Sequence, residues 1–374
     1  MKTLAFGNHV GIDDVEKAVF SFAGPPATIG PLTLDLVESR RIDIGAGPRL
    51  GNLLRRFSGD YLSVQLPPMV DLNVDSYLAE NWALLVRSGL GIAIATHAGS
   101  IKVGGKVPPA GLREAFLAET DRRSQNLLFI PNIHNTSRFD FEDRQTFSNM
   151  LLAYLPSLNA TQHNFDRVGL EAIIEFCRES ILNVRDHSFK LPWAQGDKRV
   201  SYFSIRYHKQ IRWLRTEFWP FKRYFKALGD LYGGAEPLSF LEIVTNDDGN
   251  GIAARHALDG EIYWQYGDKE SEYFNMALKA GGSVKPRARD ATARGDPGQG
   301  FSVMAGSLRT LKGIGAVRSG KLLSVYDGTI GNPLLTTFGP MPTSYATHLR
   351  YMPGTFVQSV IPILHSGLTG ATHR

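Results

Sequence analysis

The segment ESILNVRDHS, Glu179 to Ser188, places a carboxylate, an amide, a second carboxylate and an imidazole within nine residues. Glu179 and Asn183 are four apart, so on a helix they stack on one face, with Asp186 and His187 one turn further on. A carboxylate and an amide oxygen side by side can orient a water molecule or hold a hard cation. The same spacing also occurs on ordinary solvated helix faces. A second polar stretch, TNDDGNGIA (Thr245–Ala253), follows an apolar run. Asp247 can accept a hydrogen bond from an exocyclic amine, and Gly249 and Gly251 let a backbone approach a ligand closely. A tight turn has the same composition. An acidic calcium loop is a further reading, but its closing Glu is missing. The third stretch, RGDPGQGFSVMAG (Arg294–Gly306), sets Gly295, Gly298 and Gly300 before a helical pattern. Free amides and the helix dipole there suit an anion, as a plain linker also would allow.

These three stretches must be held by regular elements. Leu170, Ile174, Cys177, Ile181 and Val184 follow helical spacing, so Arg167–His187 is expected to be one long amphipathic helix. Thr146–Leu158 and Gly300–Gly313 also read as helices. Strands are expected at Arg199–His208, Leu238–Gly251 and Gly354–Ile363, with a strand pair over Gly315–Gly328. Near the N-terminus, Pro31–Val37, Tyr61–Pro67 and Gly89–Ala98 read as strands, and Gly47–Phe57 and Val74–Gly89 as helices. That alternation implies an α/β class. The expected organisation is a small α/β domain over 1–125, a connecting segment over 126–146, a larger α/β sandwich over 147–365 and a loose tail over 366–374.

The order of the three stretches resembles the GHKL (Bergerat-fold) ATPase superfamily of gyrase B subunits, heat-shock chaperone ATPases, mismatch-repair ATPases and histidine kinases. ESILNVRDHS is similar to its N box, DDGNGI (Asp247–Ile252) to its G1 box, GQGF (Gly298–Phe301) to its G2 box, and GTFVQSVIP (Gly354–Pro362) to its closing strand. The resemblance implies a mixed sheet covered by helices on one face, with ATP and Mg²⁺ as ligands. By the same resemblance, Asn183 holds the metal and Glu179 positions or deprotonates the attacking water. Asp247 takes the adenine amino group, Gly249 and Gly251 make room for the nucleotide, Gly298 and Gly300 wrap the phosphates within a lid, and Thr355 supports the adenine end. Members of the superfamily often carry Lys or Arg one turn after the Asn, where this chain has Asp186 and His187. Lys285, Arg287, Arg289 and Arg294 are the candidates to supply that charge.

Leu32–Arg56 is similar to the core of STAS-like domains. The loop after Asp43, IGAGP, has no hydroxyl, so phosphorylation there is not expected. A basic aromatic insert, Lys209–Leu228, offers nucleic-acid stacking or, as its apolar spacing favours, a helical hairpin packed on the domain.

Bulk properties narrow the class further. With 43% apolar and 21% charged residues the chain is an ordinary globular one, and a net charge of +5 permits an anionic partner without requiring it. A single cysteine, Cys177, allows no internal disulfide and reads as a small core residue. The N-terminus lacks a signal-peptide core and no run is long enough to span a membrane, so a soluble, cytoplasmic protein is expected. The function expected is Mg-dependent ATP binding and hydrolysis, used as a conformational switch with a protein partner or a second copy. The alternatives are a protein kinase of histidine-kinase or anti-sigma-factor type and a nucleotide-binding module without turnover. His134 and His163 are each followed by Asn rather than an acidic residue, which argues against autokinase activity.

Overall fold

The computed structural model describes residues 2–21, 30–43, 45–57, 59–69, 73–86, 88–118, 122–124, 127–133, 143–154, 166–187, 200–208, 219–231, 239–253, 269–278, 300–329, 339–340 and 352–363. The N-terminal unit runs β1 (Lys2–Ala5), β2 (His9–Val10), α1 (Ile12–Ser21), β3 (Leu32–Asp35), β4 (Arg41–Ile42), α2 (Ala46–Arg55), β5 (Gly59–Leu66), α3 (Val74–Glu80), a π-helical turn (Trp82–Val86), α4 (Leu90–His97), β6 (Ala98–Val103) and α5 (Leu112–Leu117). Strands β1, β3, β5 and β6 form a parallel sheet in that order. Leu4, Leu34, Val64 and Ile101 lie in one row across it and turn to the same face, as period-two alternation requires. That face packs on the helices in one continuous apolar core.

One expectation fails here. Gly89–Ala98 reads as a strand, but Leu90–His97 is helix α4 and the strand follows it as β6. Gly89 enters the helix at φ +71°, a left-handed conformation that glycine adopts without steric cost. Seven of the eight residues of α4 are buried, all except Thr96. A helix enclosed on every side loses the 3.6-residue alternation that separates it from a buried strand.

The second unit comprises β7 (Arg122–Ser124), β8 (Leu127–Pro131), α6 (Arg144–Tyr154), α7 (Arg167–His187), β9 (Ser201–His208), α8 (Trp219–Leu231), β10 (Ser239–Asp247), α9 (Lys269–Leu278), α10 (Gly300–Thr310), β11 (Ile314–Gly320), β12 (Leu322–Asp327), β13 (Gly339–Pro340) and β14 (Met352–Ile363). The strands form one sheet in the order β13-β12-β11-β14-β10-β9-β8-β7, antiparallel at every described pairing. Parallel and antiparallel sheets together with the helices make the chain α/β, the expected class. β8 falls within the segment expected to connect the domains, 126–146, and pairs with β9 from Leu127 to Pro131. That part of the segment is therefore a strand of the sheet.

Helices α6, α7, α9 and α10 cover one face of this sheet through Phe147, Ile174, Cys177, Ile181, Phe274, Met304 and Leu308, which meet Leu241, Ile243, Val357 and Ile361. Each such side chain taken from water contributes about 1.5–3 kcal/mol. Asp166 Oδ1 accepts the Gly169 amide at 2.7 Å and caps the start of α7. Cys177 is fully buried, and burial pushes its thiol well above the ordinary range.

The opposite face is covered by the N-terminal unit. Phe240, Ile314, Ala316, Leu323 and Val360 belong to the same core as α1, α2 and α4. Helix α2 packs against α1, α4 and β14, and Ala46 to Leu54 are all buried. Gly47 and Gly51, one turn apart, let α4 approach closely: a β-carbon at Gly51 would lie 2.9 Å from Ala93 Cβ, and one at Gly47 would overlap Ser88. Polar pairs cross the same interface. Arg49 lies 4.2 Å over the Phe356 ring, and Glu16 bridges Arg49 Nε at 3.2 Å and Arg318 Nε at 3.1 Å. Burial alone would raise the Glu16 carboxyl, but the Arg318 and Arg49 guanidiniums outweigh it and hold it below the usual range. Within the basic insert, α8 buries Phe221, Tyr224 and Leu228 in this core. Residues 209–218 lie outside the described residues.

No helix among the described residues is long and apolar enough to cross a membrane.

Candidate functional site

Two groups of predicted residues meet on the helical face of the large sheet. The first is the contact between α7 and the start of α10. Ile174, Cys177, Ile181 and Val184 fix the roll of α7 against the sheet. Glu179 and Asn183, at the edge of that buried stripe, then turn toward α10 and stay partly exposed. A β-carbon at Gly300, the first residue of α10, would lie 3.1 Å from Glu179 Oε2 and 3.3 Å from Asn183 Oδ1. Glycine at this position keeps the approach between the carboxylate, the amide and the helix N-terminus open. Asn183 Nδ2 donates weakly to Met304 Sδ at 3.7 Å, and its Oδ1 is the amide atom nearer the Gly300 position. Arg178 NH1 donates to Glu179 Oε1 at 3.1 Å and sets the rotation of that carboxylate. The α10 N-terminus presents the positive end of the helix dipole, which suits an anion.

The second group is a polar row at one end of the sheet. Ser201, Asp247, Thr355 and Ser319 lie opposite one another on β9, β10, β14 and β11. They share the parity of Phe203, Ile243, Val357 and Val317, which pack under the helices, so the row opens on the same side as α7 and α10. Asp247 is buried and its Oδ1 accepts the Gly249 amide at 2.8 Å, closing a turn. Gly251 takes φ +85°, and a β-carbon there would lie 2.8 Å from Ser319 Oγ. The same hydroxyl accepts the Ile252 amide at 2.8 Å and ties the loop to β11. Thr355 is the one residue of β14 that is not fully buried.

Gly354 shapes this end of the sheet. It has φ +79°, and a β-carbon would overlap the carbonyl oxygen of Asp247. The register between β11 and β14 shifts beside it, between Ser319 and Gly320, an irregularity that bends the strand and re-aims its neighbours. Glu270, buried at the start of α9, accepts the Lys321 amide at 3.0 Å against the same bend. Desolvation by burial raises its carboxyl above the usual range.

The structure thus brings Glu179, Asn183 and Gly300 together in one group and Asp247, Gly249, Gly251 and Thr355 in the other, both on one face. Gly298 and the candidate lid cations Lys285, Arg287, Arg289 and Arg294 lie outside the described residues. Asp186 and His187 continue the backbone of α7 to its end. Ser319, Gly354 and Met304 are structural members of the site that the sequence reading did not single out. Only Gly354 carried a signal, as the glycine before Thr355. Among the described residues no group of three His, Cys, Asp or Glu side chains is arranged to hold a metal ion, so any cation here would rest on few protein oxygens. Neither family models, nor curated proteins, nor solved structures give a match to this chain.

Proposed function

We propose that this chain binds ATP with Mg²⁺ in the manner of the GHKL ATPases it resembles, and hydrolyses it. The observation that carries the reading is the pairing of Glu179 and Asn183 against Gly300 at the start of α10, on the same sheet face as the Asp247–Thr355–Ser319 row. The first group suits phosphates: a helix N-terminus, an amide oxygen and a carboxylate converge there. The second suits a base: a buried carboxylate can accept an amino group beside a partly exposed threonine.

The donor set fits a magnesium ion. Mg²⁺ takes hard oxygens, keeps several waters and needs few protein ligands beyond the phosphates, so Asn183 Oδ1 suffices as the protein donor. When bound, the ion neutralises phosphate charge. Glu179 orients the attacking water and accepts its proton, a role that needs position more than covalent chemistry. The α10 amides hold the terminal phosphates, and Gly300 keeps their approach free of a side chain.

Purified protein incubated with γ-labelled ATP and Mg²⁺ tests this, with Glu179→Ala and Asn183→Ala beside wild type. Phosphate release by wild type is expected, with release lost but binding kept in Glu179→Ala and metal-dependent binding weakened in Asn183→Ala. Stable label on the protein would assign a kinase instead, and binding without release a module that only holds nucleotide. A wild-type protein that does not bind ATP sinks the reading.

A further inference from the structure

Asp247 is held from behind. The residues on either side of it, Asn246 and Asp248, turn to the opposite face of the sheet and bond to the N-terminal unit. Asn52 of α2 donates from Nδ2 to Asn246 Oδ1 at 3.0 Å and to the backbone oxygen of Asp247 at 3.1 Å. Asn246 Nδ2 returns a bond to Asn52 Oδ1 at 3.1 Å. His97, at the end of α4, donates from Nε2 to Asp248 Oδ2 at 2.7 Å. The other oxygen, Asp248 Oδ1, accepts the Val200 amide at 2.9 Å and has Arg55 NH1 at 3.8 Å. Asn52, His97, Asn246 and Asp248 are each only 1% exposed.

This arrangement is costly as mere adhesion. Buried polar pairs contribute less to stability than well-packed hydrocarbon of the same volume. Their distinctive property is direction: a reciprocal amide pair and a carboxylate–imidazole pair tolerate only small displacements. Both act within one residue of Asp247. A carboxylate that reads a base must be placed to within about half an ångström of its productive position.

We propose that Asn52 and His97 are positioning residues for base selection, fixing Asp247 from the far face of the sheet so that it selects an adenine over a guanine nucleotide. The assignment rests on the nucleotide reading above. It makes the N-terminal unit part of the binding apparatus, acting from the face of the sheet opposite Asp247. An adenine offers an amino group to the Asp247 carboxylate; a guanine offers a carbonyl oxygen at the same place, which the carboxylate repels.

The test is the ratio of equilibrium affinities for Mg-ATP and Mg-GTP, measured on the full chain for wild type, Asn52→Ala, His97→Ala, His97→Gln and Asp247→Asn. The ratio does not depend on the fraction of folded protein, so general destabilisation leaves it unchanged. Wild type should favour ATP. Asn52→Ala and His97→Ala should each lower the ratio by about tenfold, the loss expected of one misplaced hydrogen bond. His97→Gln, which keeps a donor toward Asp248, should recover most of it, and Asp247→Asn should abolish the preference. If Asn52→Ala does not fold, Asn52→Ser is read in its place. Equal wild-type affinities for the two nucleotides, or an unchanged ratio in both alanine variants, would overturn the assignment while leaving nucleotide binding intact. A wild type that binds neither nucleotide overturns both readings.

Discussion

Replacing Gly354 with alanine should be far more damaging than replacing another left-handed glycine. The perturbation has two parts. The backbone sits at φ +79°, where a β-carbon costs about 1–2 kcal/mol for any L-residue. The new carbon would also overlap Asp247 O and lie 2.8 Å from both Asp247 C and Asp248 Cα, against 3.4–4 Å in ordinary contact. Backbone atoms of a central strand cannot rotate away as a side chain does, so β14 and β10 must separate by more than half an ångström at this end. Overpacking of a tight interior costs a further ~1–3 kcal/mol, for a sum of about 2–5 kcal/mol. Gly105 is the control: its φ is +76°, but nothing lies within 4 Å of its β-carbon position, so Gly105→Ala should pay only the conformational part. Urea unfolding followed by circular dichroism compares the two. A midpoint loss for Gly354→Ala no larger than that for Gly105→Ala would refute the claim that close backbone approach, rather than φ alone, demands glycine.

Two further outcomes follow from buried groups. Cys177, fully buried with its thiol pushed up by burial, should fail to react with a thiol reagent in the native protein and react fully in urea; rapid native labelling would contradict its placement. Glu16→Gln should cost about 3–5 kcal/mol at pH 7 by removing the buried carboxylate that Arg49 and Arg318 share. The Glu16 carboxyl is held below its unfolded value, so its stabilisation is present above about pH 4–5 and is lost as pH falls through the lower folded value. The stability gap between variant and wild type should therefore narrow in acid, and a gap constant down to pH 3 would argue against the ion pair.

The long helix α7 was legible to the residue because one of its faces is solvated and its apolar stripe repeats every three to four positions. Strands β9, β10, β11, β12 and β14 were legible from β-branched runs ending at glycine or polar residues. Helix α4 was not, because burial on all sides removed the alternation that distinguishes it from a strand. The polar stretches pointed to Glu179, Asn183, Asp247 and Thr355, residues that carry their own chemistry. Asn52 and His97 gave no such signal. Their partners lie 194 and 151 positions away, and only the stacking of α2 and α4 on the second sheet puts them behind Asp247. Ser319 is likewise an unremarked serine until the antiparallel register places it in line with Thr355.

The place of β14 has a consequence for the order of events during synthesis. Among the described residues it is the last strand in chain order, yet it lies between β11 and β10 at the middle of the sheet. Until it is made, β7 to β10 and β11 to β13 are two separate half-sheets, and the N-terminal helices lack Phe356 and Val360 to rest against. Gly354 and Thr355 arrive with the same strand. Apolar surface on the two half-sheets therefore stays exposed until β14 is made, and the candidate nucleotide site comes into being in the same step that joins the two halves.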